Sequence, residues 1–195
     1  MDTAVALVIE KGYEDVMVDD ISELADIGRR TFYNYFDNKR DCVVDAIKMR
    51  FRNYADEMNL IAKDASTKES KTRDDKMALA IMASHMFQLI AHDPVTPKLA
   101  AHPKILNEAI TESQRESMMA NVALGVMSGV FKPSLPVEII EPILSWGFMG
   151  LVFDSIKRQS QSKDSYQWAH FILKNLEVDQ HEIDVLLEQL ANHTS

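Results

Sequence analysis

Between Lys39 and Asp64 the residues Val43, Val44, Ile47, Phe51, Tyr54, Met58 and Ile61 recur at spacings of three and four. That period belongs to an α-helix with one buried stripe, and a helix this long must be covered by several others. Glycine and proline number only 6 each in 195 residues, and no convincing alternating stretch occurs, so the chain reads as all-α. A first helix carries Ala4, Val5, Val8 and Ile9 on one face and stops at Gly12, which suits the left-handed position beyond a helix end. A short second helix is predicted from Asp19 to Ala25, with Ile21, Leu24 and Ala25 inward and acids in its first turn. A tight turn through Asp26-Ile27-Gly28 leads to a third helix of about two turns, anchored by Phe32 and Phe36.

Beyond a polar loop at Ser66 to Lys71, a helix from Asp74 to Ala91 is apolar nearly all round and therefore belongs inside a bundle. His92 to Pro103 holds three prolines and reads as a turn or broken helix. Further helices follow over 104–127, Val137 to Arg158 (with Pro142 as a kink or start), Asp164 to Glu177 and His181 to Leu190. These elements divide into a small N-terminal domain, 1–45, and a larger helical domain, 46–195, bridged by the long fourth helix. The single cysteine, Cys42, excludes an internal disulfide framework and reads as a small core residue. The longest uncharged apolar run, Ile143 to Phe153, is short for a bilayer and is closed by Asp154; with Asp2 where a signal peptide carries a base, the expectation is a cytoplasmic chain.

A formal net charge of −9 argues against nucleic acid, yet the charge is uneven. From Arg29 to Arg52 seven bases (Arg29, Arg30, Lys39, Arg40, Lys48, Arg50, Arg52) face three acids. The segment Asp19 to Phe36 also has the form of a helix-turn-helix: two short helices, a tight turn, and a second helix short enough for the major groove. Arginine pairs bidentately with guanine and asparagine with adenine, which makes Arg29, Arg30 and Asn34 the candidates for reading bases. Thr31 suits a phosphate or a thymine methyl. Tyr33 and Tyr35 reach phosphates through their hydroxyls, and Lys39 does so from the start of the fourth helix.

Glu10-Lys11-Gly12-Tyr13, then Val18 to Ala25, then Arg30-Thr31-Phe32-Tyr33-Asn34-Tyr35-Phe36-Asp37-Asn38-Lys39 resemble the DNA-binding domain of the TetR family of repressors over about fifty residues. The resemblance implies DNA contacts from Arg29, Arg30, Thr31, Tyr33, Asn34, Tyr35 and Lys39, and core positions for Phe32 and Phe36. The chain departs from the family in carrying Gly28 where many members have serine, Val18-Asp19 where threonine and a base are common, and no basic tail ahead of the first helix. Gly28 caps a helix almost as well as serine, Val18-Asp19 speaks against phosphate contacts at the start of the second helix, and the missing tail lowers the expected affinity without changing the resemblance.

The same resemblance implies a homodimer built on the last two long helices, here Val137 to Gln159 and Asp164 to Glu177, with Trp146, Gly150, Phe153, Trp168, Phe171 and Ile172 at the interface. Pairing also has a physical motive, since two short recognition helices one turn of DNA apart read a palindrome that one cannot. It further implies an apolar or amphipathic effector held between the helices over 74–91, 104–127 and 137–158. Met82, Met86, Met118, Val122, Trp146 and Met149 would form the wall, and His85 and Gln88 the polar anchors. Those same residues suit an ordinary core with both polar groups satisfied locally. No phosphate loop, nucleophile elbow or metal-binding spacing among the six histidines occurs, so the expectation is no enzyme, no cofactor and no metal. The remaining alternative is an all-α interaction module that kept this fold without specific DNA binding.

Overall fold

In the computed structural model, which describes residues 2–65, 71–114, 122 and 125–193, ten helices and no strand occur among the described residues. Helix α1 (Asp2–Lys11) buries Ala4, Val5, Leu7 and Val8. Gly12 ends it at φ +85°, donating its N–H to the Val8 carbonyl at 2.9 Å, the left-handed stop that only glycine takes without strain. Helix α2 (Val18–Leu24) is fastened at its start by Asp20, whose carboxylate accepts the Met17 N–H at 2.8 Å and pairs with Lys11 at 3.0 Å. The inward placement of Leu24 is overturned: its side chain is 59% exposed. In so short a helix the inward arc is Val18, Ile21, Ser22 and Ala25, at i, i+3, i+4 and i+7, and Leu24 falls well off it. Asp26, at φ +52°, then turns the chain into α3 (Arg29–Tyr33).

Helix α4 (Lys39–Ala65) starts on an exchange between Asn38 and Asp41: the Asp41 N–H donates to Asn38 Oδ1 at 3.0 Å, and Asn38 Nδ2 returns a bond at 2.8 Å. Its stripe of Val43, Val44, Ile47 and Phe51 is buried, as is Cys42, with Tyr54 half-buried below. The side chains of Met58 and Ile61 lie outside the described residues. Helix α4 packs on α1 and on two later helices, α5 (Lys71–His92) and α7 (Pro103–Gln114), so it belongs to both halves of the molecule. Between α5 and α7 the proline-rich segment forms the four-residue α6 (Val95–Lys98).

Asp93 fixes that corner. Its side chain is fully buried and accepts bonds from Arg50 Nε at 2.5 Å and the Tyr54 hydroxyl at 2.7 Å, while its other oxygen accepts the Val95 N–H at 3.0 Å. A desolvated carboxylate is tolerated only when its lone pairs are filled in this way.

Helix α8 (Val137–Arg158) runs through Pro142 one turn from its start, and Gln159, left-handed at φ +56°, closes it. Helices α9 (Gln161–Asn175) and α10 (Gln180–His193) complete the bundle. Helix α9 lies among α5, α8 and α10. Across that layer the rings of Phe87, Phe148, Trp168 and Phe171 touch in succession at 5.6, 5.3 and 5.7 Å between centroids. The loop into α8 needs a glycine for closeness, since a Cβ on Gly125 would meet the buried Phe131 ring at 2.2 Å. Helix α8 is long and apolar enough, by length and composition, to cross a membrane. In the fold one side of it packs through Ile140, Leu144, Phe148, Met149 and Val152.

Burial and the bond to Asp93 push the Tyr54 phenol from 10.0 up to about 12. The folded form therefore holds that proton more tightly than the unfolded chain. Stability from this group is complete below pH 10 and is lost as pH rises towards about 12. Urea denaturation across that window is expected to show a falling midpoint, and Tyr54→Phe is expected to flatten the fall while lowering stability at neutral pH by about 1 kcal/mol.

Candidate nucleic-acid interface

Helix α3 is held from one side and open on the other. Phe32 is 1% exposed and lies 5.4 Å from Phe36, which is half-buried, so two rings four residues apart pin α3 and the turn after it. With that face inward, Arg29, Arg30, Thr31, Tyr33, Asn34 and Tyr35 all lie exposed. Gly28 serves as the helix N-cap in an extended conformation, and Asn34, Tyr35 and Phe36 fold back by N–H bonds to carbonyls of residues 30 to 32. Met17, Leu24 and Ile27 are exposed as well. The exposed run can offer guanidinium and amide pairs to base edges and phenol hydroxyls to phosphates.

The cations are mostly spoken for. Arg29 Nη1 donates to both carboxylate oxygens of Asp19 at 2.9 Å, and its guanidinium carbon lies 5.7 Å from the centre of the Tyr33 ring. Contact with Tyr33 and the charge of Asp19 hold the Arg29 guanidinium further above its ordinary pKa. Lys39 Nζ donates to the carbonyls of Tyr13 at 2.8 Å and Glu14 at 3.3 Å, and lies 4.3 Å from the Tyr13 ring centre. Arg40 pairs with Glu108, Lys48 with Glu112 at 2.5 Å, and Arg50 with Asp93. Four of the seven bases of that segment, Arg29, Arg40, Lys48 and Arg50, thus face carboxylates, Lys39 is held by carbonyls, and Arg30 and Arg52 are left exposed. The partners lie up to 68 residues away, which is why local charge counting missed them.

These pairs also couple the two halves. The turn that receives Lys39 carries Tyr13 and Glu14. The Tyr13 ring lies 4.6 Å from that of His102, and His102 Nε2 lies 2.7 Å from Glu14 Oε1. Helix α7 answers α4 with Glu108 and Glu112, one turn apart.

The residues predicted to hold an effector are partly brought together. Met82, Met86, Val122 and Met149 are buried, and Met118 lies outside the described residues. The two polar anchors have local partners: His85 Nδ1 bonds the Ile81 carbonyl at 3.0 Å, and Gln88 Nε2 donates to Ser165 Oγ at 3.1 Å. Trp146 does not join them; it lies on the outer side of α8, 48% exposed. A cleft of about 370 Å³ elsewhere is lined by Ser134, Lys174, Asn175, Glu177 and Val178, none of them predicted.

Of the residues expected at a dimer interface, Trp168 and Ile172 lie in the protomer's own core, and Phe153 is half-buried. Trp146, Gly150 and Phe171 are exposed. Sequence reasoning missed Ile139 and Ile143, which stand exposed at i and i+4 and continue through Trp146, Gly150 and Phe153 as one stripe. Because α8 is apolar on all sides, its outer face could not be told from its inner one by pattern alone.

Residues 1–46 match the profile of the family described as bacterial regulatory proteins, tetR family. A stretch of 93 residues is 32% identical to the fatty acid metabolism regulator protein of Bacillus subtilis (strain 168), covering 48% of this chain and 44% of that protein. The chain thus spans under half the length of the curated relative it matches. Among solved structures, RolR in complex with resorcinol superposes with a TM-score of 0.77 at 15% identity, over 95% of this chain and 89% of that one. The fatty acid degradation regulator FadR from Bacillus halodurans gives 0.64 at 17%, over 88% and 95%. FadR from Bacillus subtilis in complex with stearoyl-CoA gives 0.54 at 21%, over 97% and 94%. At these identities the likeness is one of fold.

The geometry separates two roles among the cations. Lys39→Ala is expected to cost about 1–2 kcal/mol of stability without any DNA, because two carbonyls lose a charged donor and the Tyr13 ring loses its cation. Arg30→Ala, at an exposed position, is expected to leave thermal unfolding unchanged within about 0.5 kcal/mol.

Proposed function

We propose, from the premise that residues 1–46 belong to the tetR family of bacterial regulatory proteins, that the chain is a ligand-responsive transcriptional repressor acting in the cytoplasm. It binds a palindromic operator as a homodimer and is released by a small amphipathic effector. Residues 1–45 form the DNA-binding domain and 46–195 the effector-binding and dimerisation domain. A regulator, not an enzyme, is also what the family implies.

The observation that carries this reading is the exposed run Arg29, Arg30, Thr31, Tyr33, Asn34 and Tyr35 on α3 and the turn after it, pinned from behind by Phe32. Six polar or aromatic groups crowd this helix and the turn after it, and of these Arg30, Thr31, Asn34 and Tyr35 are exposed without serving the core. Changing Arg29, Arg30 and Tyr33 together to alanine is expected to weaken binding to a selected operator at least a hundredfold in gel shifts. Because most cations are paired internally, affinity is expected to fall with salt at a slope of only about −2 to −5 on logarithmic axes, in keeping with few phosphate contacts per dimer. Operator binding left intact in the triple variant would instead favour an interaction module of the same fold.

The stripe of Ile139, Ile143, Trp146, Gly150 and Phe153, with the exposed Phe171 of α9, supports dimerisation. It is an apolar face too continuous to be left in water, and a second copy supplies the same face in return. Trp146→Glu is expected to give a folded monomer by light scattering, with operator affinity lowered at least tenfold.

For the effector, the name of the curated relative and the stearoyl-CoA bound to one structural neighbour support a long-chain acyl thioester or a related amphiphile. The buried methionines Met82, Met86 and Met149, beside Phe87 and Phe148, are adaptable side chains that support this reading. Long-chain acyl-CoA at about a hundred times its Kd is expected to raise the melting temperature by about 5–10 °C and to release DNA, where coenzyme A alone does neither.

A further inference from the structure

Asp19 at the start of α2 and Arg29 at the start of α3 meet across the helix-turn-helix. Both are largely exposed, at 67% and 61%. An exposed ion pair adds little to stability, so the fold gains little from this one. What it does fix is orientation. Both oxygens of Asp19 take the same guanidinium nitrogen, Nη1, at 2.9 Å, and Tyr33 lies alongside with its ring centre 5.7 Å from the guanidinium carbon. One corner of the guanidinium is thus occupied and its plane is steadied, while Asp19 takes neither Nε nor Nη2. The edge formed by those two nitrogens is a planar two-donor fork, the shape that matches O6 and N7 of guanine.

We propose that Asp19 is a specificity-determining positioning residue: by clamping Nη1 it presents the Nε–Nη2 edge of Arg29 to a guanine in the major groove. The inference rests on the DNA-reading role proposed above and names how one of its bases is chosen. An unrestrained arginine can turn to the nearest phosphate, where it gives affinity without sequence. A carboxylate held beside it opposes that choice, since the phosphate would lie near Asp19 as well. The clamp also removes in advance part of the rotamer freedom that binding would otherwise cost.

Selection from a randomised duplex library with the full chain tests this. The wild-type protein is expected to enrich a guanine in each half-site that Arg29→Ala loses. Asp19→Asn, which keeps the shape and removes the charge, is expected to lower the preference for that guanine about tenfold or more. Its affinity for random duplex is expected to stay level or rise a few-fold. Asp19→Glu is expected to restore part of the preference. Circular dichroism melts should match for all four proteins.

Asp19→Asn with an unchanged guanine preference overturns the proposal, as does a uniform loss of affinity that leaves the preference intact. A wild-type consensus in which Arg29→Ala alters no base overturns it too, while leaving DNA reading in place. A wild-type chain that enriches no sequence removes the DNA-reading role and this inference together.

Discussion

The buried carboxylate of Asp93 is the point on which the two halves of the molecule turn. It sits where α5 ends and α6 begins, and its demand for donors brings Arg50 and Tyr54 of α4 to that corner. An unpaired carboxylate there would cost several kcal/mol, so α4 and the α5–α6 corner cannot drift apart without a large penalty. Helix α6 in turn packs on α1, and the turn after it brings His102 to Tyr13 and Glu14. Because α1 packs on α2 and α2 on α3, the placement of α3 is tied to this corner of the bundle.

Charge is arranged in the same spirit. The excess of acid over base that makes the whole chain anionic is used to hold cations in place, with Glu108, Glu112 and Asp93 each taking one from α4. What remains exposed near α3 is polar and aromatic more than basic.

The parts of this fold visible in the sequence are those set by local rules. The stripe of α4, the stop at Gly12 and the Phe32–Phe36 pair each follow from helical period or backbone chemistry within a few residues. Leu24 was misplaced because two turns of helix offer too few positions to define an inward arc. The partners of Arg40, Lys48 and Arg50 were invisible because they arrive from α7 and from the α5–α6 corner, long after the cations in sequence. Asp19 was visible as a departure from a family pattern, but its meeting with Arg29 depends on how α2 and α3 cross. On α8 the difficulty was of another kind. A helix apolar all round carries no periodic contrast, so Ile139 and Ile143 could be assigned to the outside only once the inside was known.

The row of rings from Phe87 through Phe148 and Trp168 to Phe171 has a mechanical meaning. Close-packed rings cannot pass through one another, so a change of tilt at one must be taken up by the next. The inner end, Phe87, is walled in on every side, whereas the outer end, Phe171, borders water. The row is therefore confined at its inner end and free to yield at its outer one.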